Sequence, residues 1–436
     1  MSDHADLNAP LTVRSRGGFR YGVDALNNPN ADGTLFSDVQ TNANNWVEND
    51  SVTPTLLTIS KTSSAPEHET ATGPNYVRQW TVHVDIPDGQ TINDLDIFDD
   101  LPNNIVFLSL DAITSTDGGT VFTSNVPSGN NVLGTPTNNT AFTAANSHPT
   151  LDINGVQNGE SLVVTADSIK GTTADRDVSI TFSFYVEEID ADTDRVIPIN
   201  GDDDTTLTPD SRSHNNARAL GDWNPTDGRD SGGIDNAAAD PVGVEHTVDD
   251  KSIAIQKSVT VVDATGNPTG QSTVVPGSLL RYTLSFQISD YYTYGDLVLT
   301  DTFSDGQLFY SALGPSLSIS DFADSHPNET FNLHVGPQAG ATSEATTDNF
   351  IVDQSRIDRG DDASENSATD GTTHITVQLS ERLQQLGDDG VLQGGLSNGA
   401  VNLGAATGTI TFYTQVQDEF ADTFDSGDRS VDQGDV

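Results

Sequence analysis

Two stretches in different halves of the chain alternate apolar and polar residues in one shared register. The first is Gln79-Trp80-Thr81-Val82-His83-Val84-Asp85-Ile86, and the second is Arg281-Tyr282-Thr283-Leu284-Ser285-Phe286-Gln287-Ile288. Trp80, Val82, Val84 and Ile86 match Tyr282, Leu284, Phe286 and Ile288. A period of two puts all four on one side of a β-strand, whereas a helix would spread them around its circumference. The register holds through Asp94-Leu95-Asp96-Ile97-Phe98-Asp99-Asp100-Leu101 against Asp296-Leu297-Val298-Leu299-Thr300-Asp301-Thr302-Phe303. From Asp99 to Asp301, and from Phe107 to Phe309, the offset is 202. Strand patterns that recur at a fixed offset describe tandem copies of one β domain.

The copies differ by insertions. Leu57-Thr58-Ile59-Ser60-Lys61-Thr62 matches Ile253-Ala254-Ile255-Gln256-Lys257-Ser258 at an offset of 196. The second copy therefore carries six extra residues, placed at Asp263-Ala264-Thr265-Gly266-Asn267-Pro268. A late strand, Val178-Ser179-Ile180-Thr181-Phe182, matches Gly408-Thr409-Ile410-Thr411-Phe412 at an offset of 230. The middle of the second copy is longer, with Asp358-Arg359-Gly360-Asp361-Asp362 as the insertion. Each copy has the size and the short, turn-punctuated strands of a sandwich. The expected fold is all-β, with tandem immunoglobulin-like or fimbrial β-sandwiches. Residues 55–220 and 252–436 form the two copies, and the second lacks its last strand. Residues 221–251 read as an acidic Gly/Asp-rich linker. Residues 1–54 read as the tail and linker of a preceding repeat. The main helical segment is Ser380-Glu381-Arg382-Leu383-Gln384-Gln385-Leu386, stopped by Gly387.

Charge narrows the partners. With 65 acidic and 18 basic residues the formal net charge is −47. Such a surface repels nucleic acid and anionic membrane. It suits hard cations, Ca²⁺ above all, or a saline setting that screens self-repulsion. Asn28-Pro29-Asn30-Ala31-Asp32-Gly33, with Asp38 beyond it, has the alternating oxygens and glycine turn of a Ca²⁺ loop. Val39 stands where the bidentate glutamate would be. Asn224 to Asp230, including Asp227 and Asp230, is a similar turn. Asp202-Asp203-Asp204 and Asp361-Asp362 are further oxygen-rich loops. The chain has no cysteine and no apolar run long enough to span a membrane. Its first residues lack the basic start and apolar run of a signal peptide, so it reads as a piece of a longer protein.

No catalytic pattern is present. The nine histidines form no His-x-x-x-His pair. There is no Gly-x-Ser-x-Gly elbow and no phosphate loop. Asp99 and Asp100 are adjacent on a strand and face opposite sides, so they do not form a carboxylate pair. The expectation is a non-enzyme.

The chain holds four lysines, and two of them, Lys61 and Lys257, occupy the same position in the two copies. The Ile-x-Lys opening, the segment Gly277-Ser278-Leu279-Leu280-Arg281-Tyr282-Thr283, the turn Ile97-Phe98-Asp99-Asp100-Leu101-Pro102 and the strand Asn215-Asn216-Ala217 occur in a characteristic order. In that order they resemble the DUF11-type conserved surface repeat and the isopeptide-forming fimbrial domains. The second copy departs from the pattern, with Thr302-Phe303-Ser304 where Leu-Pro is expected. The resemblance implies a secreted or cell-surface protein. It also implies a lysine–asparagine cross-link assisted by a carboxyl group, here Lys61, Asp99 and either Asn215 or Asn216. Lys257 and Asp301 would be the counterparts, with Asn8 of a neighbouring chain as partner in trans. The alternative for both lysines is the solvent face.

The expected function is a structural repeat of an extracellular adhesin, fimbrial or sheath protein, in contact with neighbouring repeats or subunits. A calcium-dependent module that binds surface glycan or protein is one alternative. A filament subunit that polymerises by strand exchange is another, since Leu7-Asn8-Ala9 resembles the closing strand.

Overall fold

The computed structural model describes residues 11–18, 45–52, 57–124, 126, 161–190, 195–197, 211–223, 242–321, 326–336, 348–353, 372–396 and 404–420. Strands β1 (Leu11–Gly18) and β2 (Asn45–Val52) form an antiparallel two-stranded sheet of their own. Ten strands follow: β3 (Thr58–Ser63), β4 (Glu69–Ala71), β5 (Arg78–Asp85), β6 (Thr91–Asp100), β7 (Ile105–Ser115), β8 (Phe122–Ser124), β9 (Ser161–Lys170), β10 (Val178–Val186), β11 (Arg212–Trp223) and β12 (Val242–Lys251). They pair as two sheets, in the orders β3-β5-β10-β7 and β4-β12-β11-β6-β9-β8.

The alternation read from the sequence decides what lies between these sheets. Trp80, Val82, Val84 and Ile86 are buried from one side, and Leu95, Ile97, Leu162 and Val164 from the other. Trp80 stacks on Phe184 with ring centroids 3.8 Å apart. Burying one such aromatic or branched side chain stabilises the fold by about 1.5–3 kcal/mol.

The second sandwich contains β13 (Ile253–Val262), β14 (Leu279–Ile288), β15 (Thr293–Tyr294), β16 (Val298–Phe303), β17 (Gln307–Phe309), β18 (Ser316–Asp321), β19 (His326–Asn332), β20 (Val335–Gly336), β21 (Phe350–Asp353), β22 (Thr373–Gln378), β23 (Leu392–Gln393) and β24 (Ala406–Val416). Helix α1 (Leu379–Gln385) falls where the sequence places it. One sheet has the order β13-β14-β24-β18-β19, with β17 also on β24. The other has the order β16-β22-β21-β20, and β15 pairs with β23. The repeat offsets make β13, β14 and β24 the counterparts of β3, β5 and β10, and make β16 the counterpart of β6. The six extra residues form the tip beyond β13. There Asp263 Oδ1 accepts from the amides of Thr265 and Asn267 at 2.8 and 3.0 Å, and Gly266 takes a φ of +86°. No helix of the described residues is long and apolar enough to cross a membrane.

One expectation is corrected. Residues 221–251 are not all linker, because Val242–Lys251 form β12, inside the first sandwich's larger sheet between β11 and β4. Its alternation was present in the sequence, but His246 and Asp250 interrupt the apolar face that Val244 and Val248 begin.

The two sandwiches meet through polar contacts. The Asn75 amide and its Nδ2 donate to the Asp290 carboxylate, each at 2.7 Å. Arg78 Nη2 donates to Gln287 Oε1 at 2.7 Å, and the Asp290 amide donates to the Thr72 carbonyl at 2.9 Å. Gly73, at φ +120°, admits this approach, since a Cβ there would lie 2.3 Å from Asp290 Oδ2.

Candidate cross-link site

Lys61 is buried although it is a lysine on a six-residue strand, and the alternation of β3 turns it inward beside Leu57 and Ile59. Asp99 comes from the facing sheet. On β6 it pairs with Leu162 of β9 on one side and Ala217 of β11 on the other. Asn215 lies two residues before Ala217 and therefore shares the inward face with Asp99. The alternation of β11 buries Ser213, Asn215, Ala217 and Ala219 and leaves Asn216 exposed. Of the two asparagines, Asn215 enters the core and Asn216 does not. Asp100, one residue after Asp99, faces away and pairs with Arg218.

Inside the core, Lys61 Nζ contacts Asp99 Oδ2. Its ammonium lies 5.1 Å from the Trp80 ring centroid and 5.6 Å from that of Phe182. Trp80 Nε1 in turn donates to His246 Nδ1 at 3.3 Å. Burial drives the Lys61 pKa down to about 8, against the pull of Asp99. Burial also raises the Asp99 pKa, opposed by Lys61 and by the neighbouring Asn215 amide. Both shifts run toward the uncharged forms, and at a pKa of about 8 a minor share of Lys61 is neutral amine at pH 7. The Asn215 amide lies beside Asp99, yet neither its Oδ1 nor its Nδ2 has hydrogen-bond geometry with any group, and Asp99 Oδ1 is likewise without a partner. A buried polar group left unsatisfied costs about 1–3 kcal/mol, so three such atoms at one point call for a chemical explanation.

The counterpart in the second sandwich is different. Lys257 Nζ donates to Asp301 Oδ1 at 2.7 Å and lies 4.9 Å from the Tyr282 ring centroid. Its side chain is 35% exposed, against 0% for Lys61. Asp301 Oδ2 is buried without a partner. Among the described residues no strand stands beside β16 where β11 stands beside β6, and none brings an asparagine to this pair. Asn8, expected in trans, lies outside the described residues, as do the calcium candidates Asn28, Asn30, Asp32, Asp38, Asp227 and Asp230. Among the described residues no group of three or more His, Cys, Asp or Glu is arranged to hold a metal ion.

Among the buried acids that sequence reasoning missed, Asp250 and Asp290 have raised pKa values. Asp250 on β12 accepts from Asn104 Nδ2 and Ser213 Oγ, both at 2.9 Å, and burial raises its pKa well above the usual carboxylate range. Asp290, at the junction of the sandwiches, is pushed up to about 6, again by burial. The interrupted alternation of β12 was a signal for the first; the second had none.

No family model matches the chain, and neither does any curated protein. Among solved structures, the chain is similar to the C-terminal domain of the Streptococcus agalactiae AgI/II polypeptide BspA. Identity is 9%, coverage is 83% of this chain and 92% of that one, and the TM-score is 0.21. It is similar to BcpA, the major pilin subunit of Bacillus cereus, at 12% identity, 55% and 60% coverage and a TM-score of 0.23. It is also similar to the collagen-binding domain of a Staphylococcus aureus adhesin, at 13% identity, 45% and 99% coverage and a TM-score of 0.19.

Proposed function

We propose that the chain is a load-bearing structural module of an extracellular adhesin, fimbrial or sheath protein, and that its first sandwich closes on a Lys61–Asn215 isopeptide bond. The observation that carries this reading is the meeting of Lys61, Asp99 and an unpartnered Asn215 in a dry, aromatic-walled core.

The neutral Lys61 Nζ attacks Asn215 Cγ. Protonated Asp99 donates a hydrogen bond to Asn215 Oδ1 and stabilises the oxyanion that develops there. Asp99 then carries the proton lost by Nζ to Nδ2. The Cγ–Nδ2 bond breaks, ammonia leaves, and the Nζ–Cγ amide remains. Proximity supplies much of the rate, because folding alone sets the reacting groups together. The step occurs once per molecule, so the chain is not an enzyme with turnover.

The product ties β3 in one sheet to β11 in the other. Force applied along the chain then bypasses everything between Lys61 and Asn215. The intact mass of the denatured chain should fall below the sequence mass by about 17 Da, the ammonia released. A full sequence mass, with Lys61 and Asn215 recovered in separate linear peptides, overturns the reading.

A further inference from the structure

Among the described residues the second sandwich has one strand edge unpaired, and the first sandwich displays what covers the same edge. In the first, β6 lies between β9 and β11, and β11 with β12 covers the inward face of β3. In the second, β16 pairs with β22 on one side and, among the described residues, with nothing on the other. The consequence runs along β13. Ile255, Lys257 and Val259 lie on one face at every second residue, and all three are exposed. Across from them Asp301 keeps a buried carboxylate oxygen without a partner. An apolar trough beside an unpaired strand edge is a template for strand addition.

The chain contains a second unit of the kind that fills this space. The offset of 196 that matches Lys61 to Lys257 also matches Val52 to Val248. Within the hairpins, β12 pairs Val248 with Ser213, and β2 pairs Val52 with Leu11. Leu11 thus takes the place of Ser213, and Val13 that of Asn215. In the first sandwich Ser213, Asn215 and Val248 are buried. In β1–β2 the corresponding Leu11, Val13 and Val52 are 51%, 69% and 69% exposed. A face made to be buried stands uncovered at one place, and a trough of matching pattern stands open at another. The order along the chain agrees, since β12 leads directly into β13, so a closing hairpin precedes the sandwich that follows it.

We propose that the β1–β2 hairpin of one copy of this chain docks beside β16 of a second copy, with β1 in the place that β11 holds in the first sandwich. The contact joins different surfaces, so repetition adds copies head to tail. The register sets Val13, and not Asn8, opposite Lys257 and Asp301. The docked contact is therefore non-covalent, and its occupancy depends on concentration.

Two variants of the full chain test this. Val13→Asp spoils the donor, and Ile255→Asp spoils the trough; both positions are exposed, so each variant should keep the wild-type circular dichroism. In light scattering the wild type should grow in mass with concentration. Each variant alone should be capped as a monomer, and an equimolar mixture should form a heterodimer and stop there. Wild type that stays monomeric at all concentrations, oligomers that survive either substitution, or a mixture that forms no heterodimer would overturn the proposal. Loss of the circular-dichroism signal in Ile255→Asp would move the trough substitution to Val259→Asp, read by the same mixing criterion.

Discussion

The two sandwiches present the same lysine and the same aspartate from matching strands, and only one of the pairs sits in a dry core. Around Lys61 the strands β11 and β12 complete the wall. Around Lys257 no described strand supplies that wall, and the side chain is 35% exposed. A lysine–aspartate pair at a repeated place in a fold is thus not chemistry by itself. With its side chain in reach of solvent, Lys257 remains hydrogen-bonded to Asp301 and no more. Burial by a third strand depresses the amine, raises the acid and brings the asparagine, all through the same few residues of β11.

The comparison breaks most sharply at Asp99. Asp99→Ala removes the acid required for the bond and leaves Lys61 in the core without its counter-ion, a defect costing about 3–5 kcal/mol in addition to the lost tie. The mass deficit should disappear, and the melting temperature should fall further than for any other variant here. Asn215→Ala isolates the tie, since Lys61 and Asp99 keep each other. A bond closing a loop from Lys61 to Asn215 stabilises by about 5 kcal/mol in the chain-entropy treatment of cross-links. Equal melting temperatures for Asn215→Ala and wild type would mean that the bond contributes nothing.

Asp290 asks whether the two sandwiches act as one body. Its pKa rises from 3.8 in a free carboxyl to about 6 in the fold, through burial. A carboxyl raised in this way contributes stability that is full below about pH 4 and lost as pH rises through 6, about 3 kcal/mol over the window. Denaturant midpoints measured from pH 4 to 7 should decline, and Asp290→Asn should flatten the profile. A wild-type profile that is already flat would separate the domains energetically. Smallest of all is Lys257→Ala, expected to cost about 1–2 kcal/mol through the donor lost to the mostly buried Asp301, with no change in mass. A loss as large as that of Asp99→Ala would mean that Lys257 is as secluded as Lys61 and that the contrast between the sandwiches is wrong.

Much of the core was legible beforehand. Trp80, Val82, Val84 and Ile86 are buried as their alternation requires, and Lys61 and Asp99 meet. The choice between Asn215 and Asn216 was not legible. Both stand in one polar strand, and only the pairing of Ala217 with Asp99 decides which of them points inward. Strand β12 was hidden because His246 and Asp250 occupy inward positions that sequence patterns reserve for apolar residues. Asp290 was hidden because its partner Asn75 comes from the other sandwich.

The sequence by itself determined the strands, their repetition and the matching places of the two lysines. These follow from local rules, since the pleat alternates side chains whatever the strand's neighbours are. The tertiary structure alone decided which lysine is secluded from solvent, which asparagine it meets and which described sheet edge is unpaired. Those outcomes depend on strands distant in sequence lying side by side. A one-residue change of register would turn every inward group outward, and no local pattern encodes that choice.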